Sequence, residues 1–212
     1  MAKRSRSGFR FETLEPRLLL SADLAPLHTQ PAGIDVTLAI DPNSQSILLL
    51  DNKHGGVEIE RHDLHGTDRI TLRGGAGDDR FRIALDAGAL DPARVVVRGG
   101  GGHDRLDGPA LDTEWSLKRE GDGEVGNITF RQIEELHGSD ASVDRLTGPR
   151  KGADWTIDAD GTGTVADTSF ADFDHLIGGG RGDDTFIVTP KGGETPDAPL
   201  ARRLDGGGGG QD

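Results

Sequence analysis

The chain has 212 residues, a net charge of −13 and 33 glycines; hydrophobic residues make up 33% and aromatic residues 4%. This composition argues against a large globular core and favours thin cores between short strands. The acidic charge suits cations and disfavours nucleic acid as a partner, and the absence of cysteine excludes disulfides and thiolate metal sites. No apolar run approaches the ~18 residues of a membrane-spanning helix, so the chain is expected not to span a membrane.

Residues 1–25 are basic and then briefly apolar. The apolar run Leu18–Ala22 is shorter than the ~7–15 residues of a secretory signal core, so this is not an ordinary signal peptide. The segment Leu14–Leu20 reads LEPRLLL and resembles the LEPR-XLL motif at the N-terminus of very large bacterial surface or secreted proteins. The resemblance implies a sorting leader, with the protein secreted or on the bacterial cell surface. A flexible leader without an addressing role is the alternative.

Residues 34–110 form a predicted β-repeat region. The runs Ile34–Ile40, Ser46–Asp51 and Val57–Glu60 predict strands separated by turn-forming residues. Their partial alternation also allows an antiparallel start to the fold.

A nine-residue pattern, G-G-x-G-x-D-x-U-x, begins at Gly74, Gly99 and Gly179, and a shortened copy beginning at Gly207 reaches Asp212. It resembles the calcium signature of RTX (haemolysin-type) repeats. Glycine permits tight turns that direct carbonyl oxygens to one point, and the aspartate adds the hard anionic oxygen that Ca²⁺ prefers. The candidate Ca²⁺ ligands are Gly74, Ala76, Asp78, Asp79, Gly99, Gly101, Asp104, Gly179, Arg181, Asp183, Asp184 and Asp212.

A glycine-rich turn without metal is the alternative at each corner. The copies are spaced by 25, 80 and 28 residues, so corners can share an ion only if intervening coils bring them into register. Arg80, Arg105 and Arg181 also place positive charge beside the predicted sites, which weakens cation binding.

Residues 111–188 contain two 40-residue repeats, in which Trp115 aligns with Trp155. Fixed-period self-similarity is typical of stacked architectures, and similar Trp-containing units occur in large bacterial adhesin-like proteins. In the first unit the corner Ser139–Asp144 has no glycine, so we expect it to fold differently and not to hold calcium. Residues 189–212 predict a loop and the truncated start of another repeat, as in a fragment of a longer protein.

These patterns predict an all-β protein: a right-handed parallel β-solenoid of the RTX β-roll or β-helix type, with a flexible N-terminal leader. The expected function is that of a calcium-binding structural repeat region of an exported, adhesin-like surface protein, with cell-surface or matrix ligands as further partners. Nucleophile, phosphate-loop and H-E-x-x-H motifs are absent from the sequence, so no enzymatic activity is predicted. The alternatives are a fragment of a secreted RTX enzyme that lacks its catalytic domain and a decayed fragment without function.

Overall fold

The computed structural model describes residues 33–41, 43–63, 69–84, 94–189 and 203–208. Within these ranges the chain forms strands and no helix, hence none that could cross a membrane. The predicted leader at residues 1–25 and the candidate ligand Asp212 lie outside them. The strands are β1 (Asp35–Asp41), β2 (Ser46–Asp51), β3 (Val57–Asp63), β4 (Arg69–Arg73), β5 (Arg80–Ala84), β6 (Arg94–Arg98), β7 (Arg105–Asp107), β8 (Thr113–Arg119), β9 (Asp122–Val125), β10 (Ile128–Arg131), β11 (Glu135–His137), β12 (Asp144–Thr147), β13 (Asp154–Asp158), β14 (Gly163–Val165), β15 (Thr168–Ala171), β16 (His175–Ile177), β17 (Thr185–Thr189) and β18 (Arg203–Asp205).

The strands form two mixed sheets, which confirms the all-β prediction. The ten-stranded sheet has the order β17-β13-β14-β15-β11-β7-β5-β1-β2-β3, and the eight-stranded sheet has the order β18-β16-β12-β8-β9-β10-β6-β4. From β4 onwards the chain passes back and forth between the sheets. Strands of successive passes pair in parallel, as β4 does with β6 and β5 with β7.

Antiparallel hairpins interrupt this parallel pattern at three places. They are β1-β2-β3, β8-β9-β10 and β13-β14-β15. The second and third hairpins turn on residues with positive φ, namely Gly126 (53°), Ala166 (47°) and Asp167 (60°), as tight hairpin turns require. The sheets are therefore mixed, whereas the sequence predicted parallel pairing with an antiparallel option only near the start.

The core consists of apolar rows that run across the strands of each sheet. In the ten-stranded sheet Val36, Phe81, Leu106, Leu136 and Phe170 are register partners along five neighbouring strands, and none is more than 2% exposed. Side chains alternate between the two faces of a strand, so the residues before and after each of these along its strand point away from the core. The core is a thin apolar layer between the sheets, as the composition predicted.

The two 40-residue repeats build the same substructure in opposite sheets. Trp115 on β8 packs against Phe130 on β10 with ring centroids 5.9 Å apart, and Trp155 on β13 packs against Phe170 on β15 at 5.8 Å. Phe173 joins the two units, because its ring lies 5.4 Å from that of Trp115 and 6.4 Å from that of Phe170. The repeated residues therefore form the central part of the core.

Candidate metal-binding corners

All three complete glycine signatures form corners at the same edge of the molecule. Residues 74–79 lead from β4 to β5, residues 99–104 from β6 to β7, and residues 178–184 from β16 to β17. Each corner thus takes the chain from the eight-stranded sheet to the ten-stranded sheet. The corner Ser139–Asp144, which lacks glycine, lies on the opposite edge, where β11 of the ten-stranded sheet leads to β12.

The first two corners stack directly on each other. The backbone N–H of Gly101 donates to the carbonyl of Gly75 (3.0 Å), and that of Asp79 donates to Oδ1 of Asp104 (2.8 Å). Their flanking strands pair in parallel without any shift. The 25-residue spacing is therefore one full pass through both sheets. The first two corners are in register, as sharing an ion would require.

The third corner belongs to a separate stack. The N–H of Ala153 donates to Oδ1 of Asp184 (3.0 Å) on one side, and on the other side the N–H of Gly178 donates to the carbonyl of Asp205 (2.7 Å). In the ten-stranded sheet four strands separate β7 from β17, or about 24 Å at the usual strand spacing. The structure therefore brings Asp79 and Asp104 together and places Asp184 elsewhere along the same edge.

The aspartates that end the corners are buried: Asp79 is 2% exposed, Asp104 0% and Asp184 4%. Both oxygens of Asp79 accept backbone N–H groups, from Ile34 and Gly75, each at 2.6 Å. Oδ2 of Asp104 and Oδ2 of Asp184, by contrast, are buried without a hydrogen-bond partner among the described residues. An unpaired carboxylate oxygen in such a place is costly unless a cation or a proton compensates it.

Asp144, at the corner without glycine, provides the contrast. Its Oδ1 accepts bonds from the backbone N–H and the hydroxyl of Thr113, and its Oδ2 accepts bonds from the N–H of Ser139 (2.6 Å) and the hydroxyl of Ser142 (3.3 Å). Serine donors thus satisfy the oxygen that remains unpaired in Asp104 and Asp184. This carboxylate is satisfied by the protein alone.

Carboxylate and carbonyl oxygens converge above the first glycine of each complete corner. A Cβ added to Gly99 would lie 2.2 Å from Oδ2 of Asp104 and 1.9 Å from the carbonyl oxygen of Gln132. These two oxygens therefore lie no more than about 4 Å apart, within the span of two ligands on one Ca²⁺. Equivalent pairs lie above Gly74 (Asp79 Oδ2 and the Gly99 carbonyl) and Gly178 (Asp184 Oδ2 and the Gly206 carbonyl). In the third corner this position is therefore taken by Gly178 and not by the predicted Gly179, which lies against the carbonyl of Pro149. A similar pair, Asp144 Oδ2 and the Asp172 carbonyl, lies above Gly138. The feature that fits a calcium ion is therefore the unpaired Oδ2 of Asp104 and Asp184 beside these carbonyls.

Glycine has two different roles in these corners. Gly100 and Gly102 have positive φ angles of 118° and 114°, as the tight-turn argument expected. Gly99 has no such angle and is required instead because oxygens occupy the position of a side chain. Only some of the signature glycines therefore have the positive φ that the sequence predicted.

Several candidate ligands lie on the outer side of the corners. Asp78 and Asp183 are exposed, as are Ala76, Gly101 and Arg181. The carboxylate of Asp78 accepts the backbone N–H of His103 (2.8 Å), which links the first two corners from outside. Of the two consecutive aspartates in each of these corners, only the second points inward.

The arginines beside the first two corners do not face them. Nε of Arg80 lies 2.5 Å from Oδ2 of Asp107, and a guanidinium nitrogen of Arg105 lies 2.6 Å from Oδ1 of the same residue. The hydrogen bond to Asp107 raises the pKa of Arg80. These ion pairs lie on the outer face of the ten-stranded sheet. Because Asp107 neutralises the two arginines there, they weaken cation binding at the corners less than the sequence predicted.

Sequence reasoning missed the acidic residues Glu134 and Asp174. Oε2 of Glu134 accepts the N–H of Asp104 (2.8 Å), and Oδ2 of Asp174 accepts the N–H of Asp144 (2.9 Å). Carboxylates thus connect successive passes of the chain along both edges. The 40-residue repeat aligns Glu134 with Asp174, and this match in the sequence could have indicated their shared role.

Burial raises the pKa of Asp104 to about 6, with further contributions from the negative charges of Asp79 and Glu134. A pKa raised in the folded state favours the protonated form, so this residue's contribution to stability is present at about pH 4 and is lost as the pH rises to about 6. In metal-free buffer, the free energy of unfolding should therefore fall by roughly 2 kcal/mol over this range relative to an Asp104→Asn variant. Urea denaturation of both proteins at pH 4 and pH 7 measures the difference, and parallel pH profiles would contradict it.

Comparison of the chain with protein-family models, curated proteins and solved structures finds no match in any of the three. In the part of the chain that the structure describes, no three His, Asp or Glu side chains converge as a metal site. The predicted sites combine carboxylates with backbone carbonyls instead.

Proposed function

We propose that this chain is a calcium-binding structural repeat region of an exported, adhesin-like bacterial surface protein. Its fold is best interpreted as a β-solenoid in which hairpins extend some of the coils. The alternation of the chain between two sheets supports this interpretation, as does the parallel pairing of β4 with β6 and of β5 with β7. The resemblance of residues 14–20 to the LEPR-XLL motif supports export.

The unpaired Oδ2 of Asp104 carries the calcium proposal. This oxygen is fully buried and faces the carbonyl of Gln132 above Gly99, in the stack that also contains Asp79. When bound, Ca²⁺ supplies positive charge that compensates the buried carboxylate and joins neighbouring coils. Asp104 and Asp184 would provide carboxylates through their unpaired Oδ2 atoms, and the glycine-rich corners would provide carbonyls. Asp79, whose two oxygens already accept backbone N–H groups, would contribute less to the site.

The same chemistry links folding to location. Because metal binding adds to the free energy of folding, a chain of this type would be least stable where calcium is scarce and would gain rigidity after export. In a cysteine-free protein, calcium would provide the stabilisation that disulfides provide in other secreted chains.

Thermal unfolding of the full chain in Ca²⁺, Mg²⁺ and EDTA tests this function. With Ca²⁺ at about 10 to 100 times its Kd, each site should stabilise the fold by roughly 1.4 to 2.7 kcal/mol and raise the Tm. Mg²⁺ should have little effect, because it requires a smaller octahedral shell and retains its water. Circular dichroism follows the unfolding. Equal melting curves in all three buffers would exclude calcium as the stabilising ion.

A further inference from the structure

Three arginines form an in-register row on the outer face of the eight-stranded sheet. Arg73, Arg98 and Arg131 are register partners on the neighbouring parallel strands β4, β6 and β10. All three are exposed. With strands about 4.8 Å apart, the row places three positive charges along a line of about 10 Å.

The row has no acidic partner in the described part of the chain. None of the ion pairs found there includes Arg73, Arg98 or Arg131, and β4, β6 and β10 contain no Asp or Glu. Among the described residues, Asp122 at the start of β9 lies on the strand next to β10, and its carboxylate is bound by Arg119 at 2.6 Å. Like charges on directly neighbouring strands destabilise a sheet.

The ten-stranded sheet shows how this chain otherwise arranges its outward arginines. There Arg80 and Arg105 pair with Asp107, and Arg82 lies 2.7 Å from Asp35. Neighbouring strands thus offer opposite charges. Arg73, Arg98 and Arg131 have no such partner in the described ranges, on a chain whose net charge is −13.

We propose that this arginine row binds a linear acidic polysaccharide that carries one carboxylate on each sugar. Guanidinium groups bind carboxylates through paired hydrogen bonds, and a row of them matches a chain with regularly repeated carboxylates. In the adjacent outward row, two residues before Arg131 on β10, Thr129 offers a hydroxyl group to a polar ligand, beside Val96 on β6.

Two observations favour this occupant over other polyanions. In the described ranges no Phe or Trp ring is exposed and β4, β6 and β10 contain no histidine, so nucleic-acid bases would find no stacking surface on these strands. The exposed large hydrophobic side chains found there lie outside β4, β6 and β10, so an acidic peptide would find no apolar anchor on this face. The row carries its charge without calcium, but its backbone adjoins the proposed corner sites, because the N–H groups of Gly74 and Gly99 donate to the carbonyls of Arg98 and Arg131.

Binding of an oligogalacturonate to the full chain tests the proposal. The variant Arg98→Gln/Arg131→Gln is compared with the charge-matched control Arg61→Gln/Arg82→Gln, whose cations pair with acids on the ten-stranded sheet. We expect the row variant to bind about tenfold more weakly or worse, with a shallower dependence on salt, and the control to bind as the parent does. Circular dichroism first shows whether the chain is folded in calcium and in EDTA. Binding is then compared in each buffer in which it is folded.

Oligothymidylate and polyglutamate of matched charge number serve as the other ligands. Equal loss in both variants, no binding of oligogalacturonate by the folded parent, or equally tight binding of either competitor would overturn the proposal. A failure of the calcium sites would leave the difference between the two variants unchanged, so the two proposals fail separately.

Discussion

Replacing Gly99 with alanine is expected to destabilise the protein by about 3 kcal/mol or more. The added Cβ would lie 1.9 Å from the carbonyl oxygen of Gln132 and 2.2 Å from Oδ2 of Asp104. The first of these atoms belongs to the backbone of the neighbouring coil, so the stack itself must shift. Both oxygens belong to the candidate site, and the calcium response should be lost together with stability.

Gly180→Ala is the matched control. Gly180 is an exposed glycine of the third corner, has no positive φ, and has no atom within 4 Å of an added Cβ. Alanine there should leave the free energy of unfolding unchanged or raise it by up to about 1 kcal/mol. Chemical denaturation of both variants gives the comparison, and equal stabilities would show that the corners do not stack as closely as described.

Exchanging Asp104 for asparagine should have the opposite effect to the same exchange at Asp144. Asp104→Asn removes a buried charge whose Oδ2 has no partner, so in EDTA at pH 7 the variant should be at least as stable as the parent. Its stabilisation by calcium should fall by the contribution of one site, roughly 1.4 to 2.7 kcal/mol at about 10 to 100 times the Kd.

Asp144→Asn instead places an amide group among existing donors. The N–H of Ser139 and the hydroxyl of Ser142 both donate to Oδ2, and Thr113 donates to Oδ1. Losing acceptors there should cost about 1 to 3 kcal/mol in both EDTA and calcium, with the calcium response retained. Urea titrations in the two buffers separate these outcomes. A loss of calcium response in Asp144→Asn with none in Asp104→Asn would reverse the assignment.

Local chemistry was readable from the sequence. Short apolar runs between turn-forming residues predicted strands such as Ser46–Asp51, which the structure has with the same bounds. The signature at Gly99 predicted a corner between two strands, and it joins β6 to β7. Such inferences depend on neighbouring residues and on strand periodicity, which a single sequence contains.

The contacts between residues far apart in the sequence could not be predicted from it. Only the three-dimensional order of strands shows that residues 74–79 and 99–104 are adjacent, while residues 178–184 belong to another stack. The difference between Asp104 and Asp144 also depends on which donors surround each carboxylate after folding. Likewise, the arginines that end β4, β6 and β10 form a row only because those strands pair without a shift.

Direct counting of bound ions by equilibrium dialysis against radioactive calcium tests the central claim most directly. The parent chain and the double variant Asp104→Asn/Asp184→Asn are compared at millimolar calcium, with Asp144→Asn as a control for the carboxylate that the protein itself satisfies. We expect saturable binding to the parent, fewer ions on the double variant and an unchanged number on the control. Absence of saturable binding to the folded parent, or an equal number of ions on all three proteins, would contradict it.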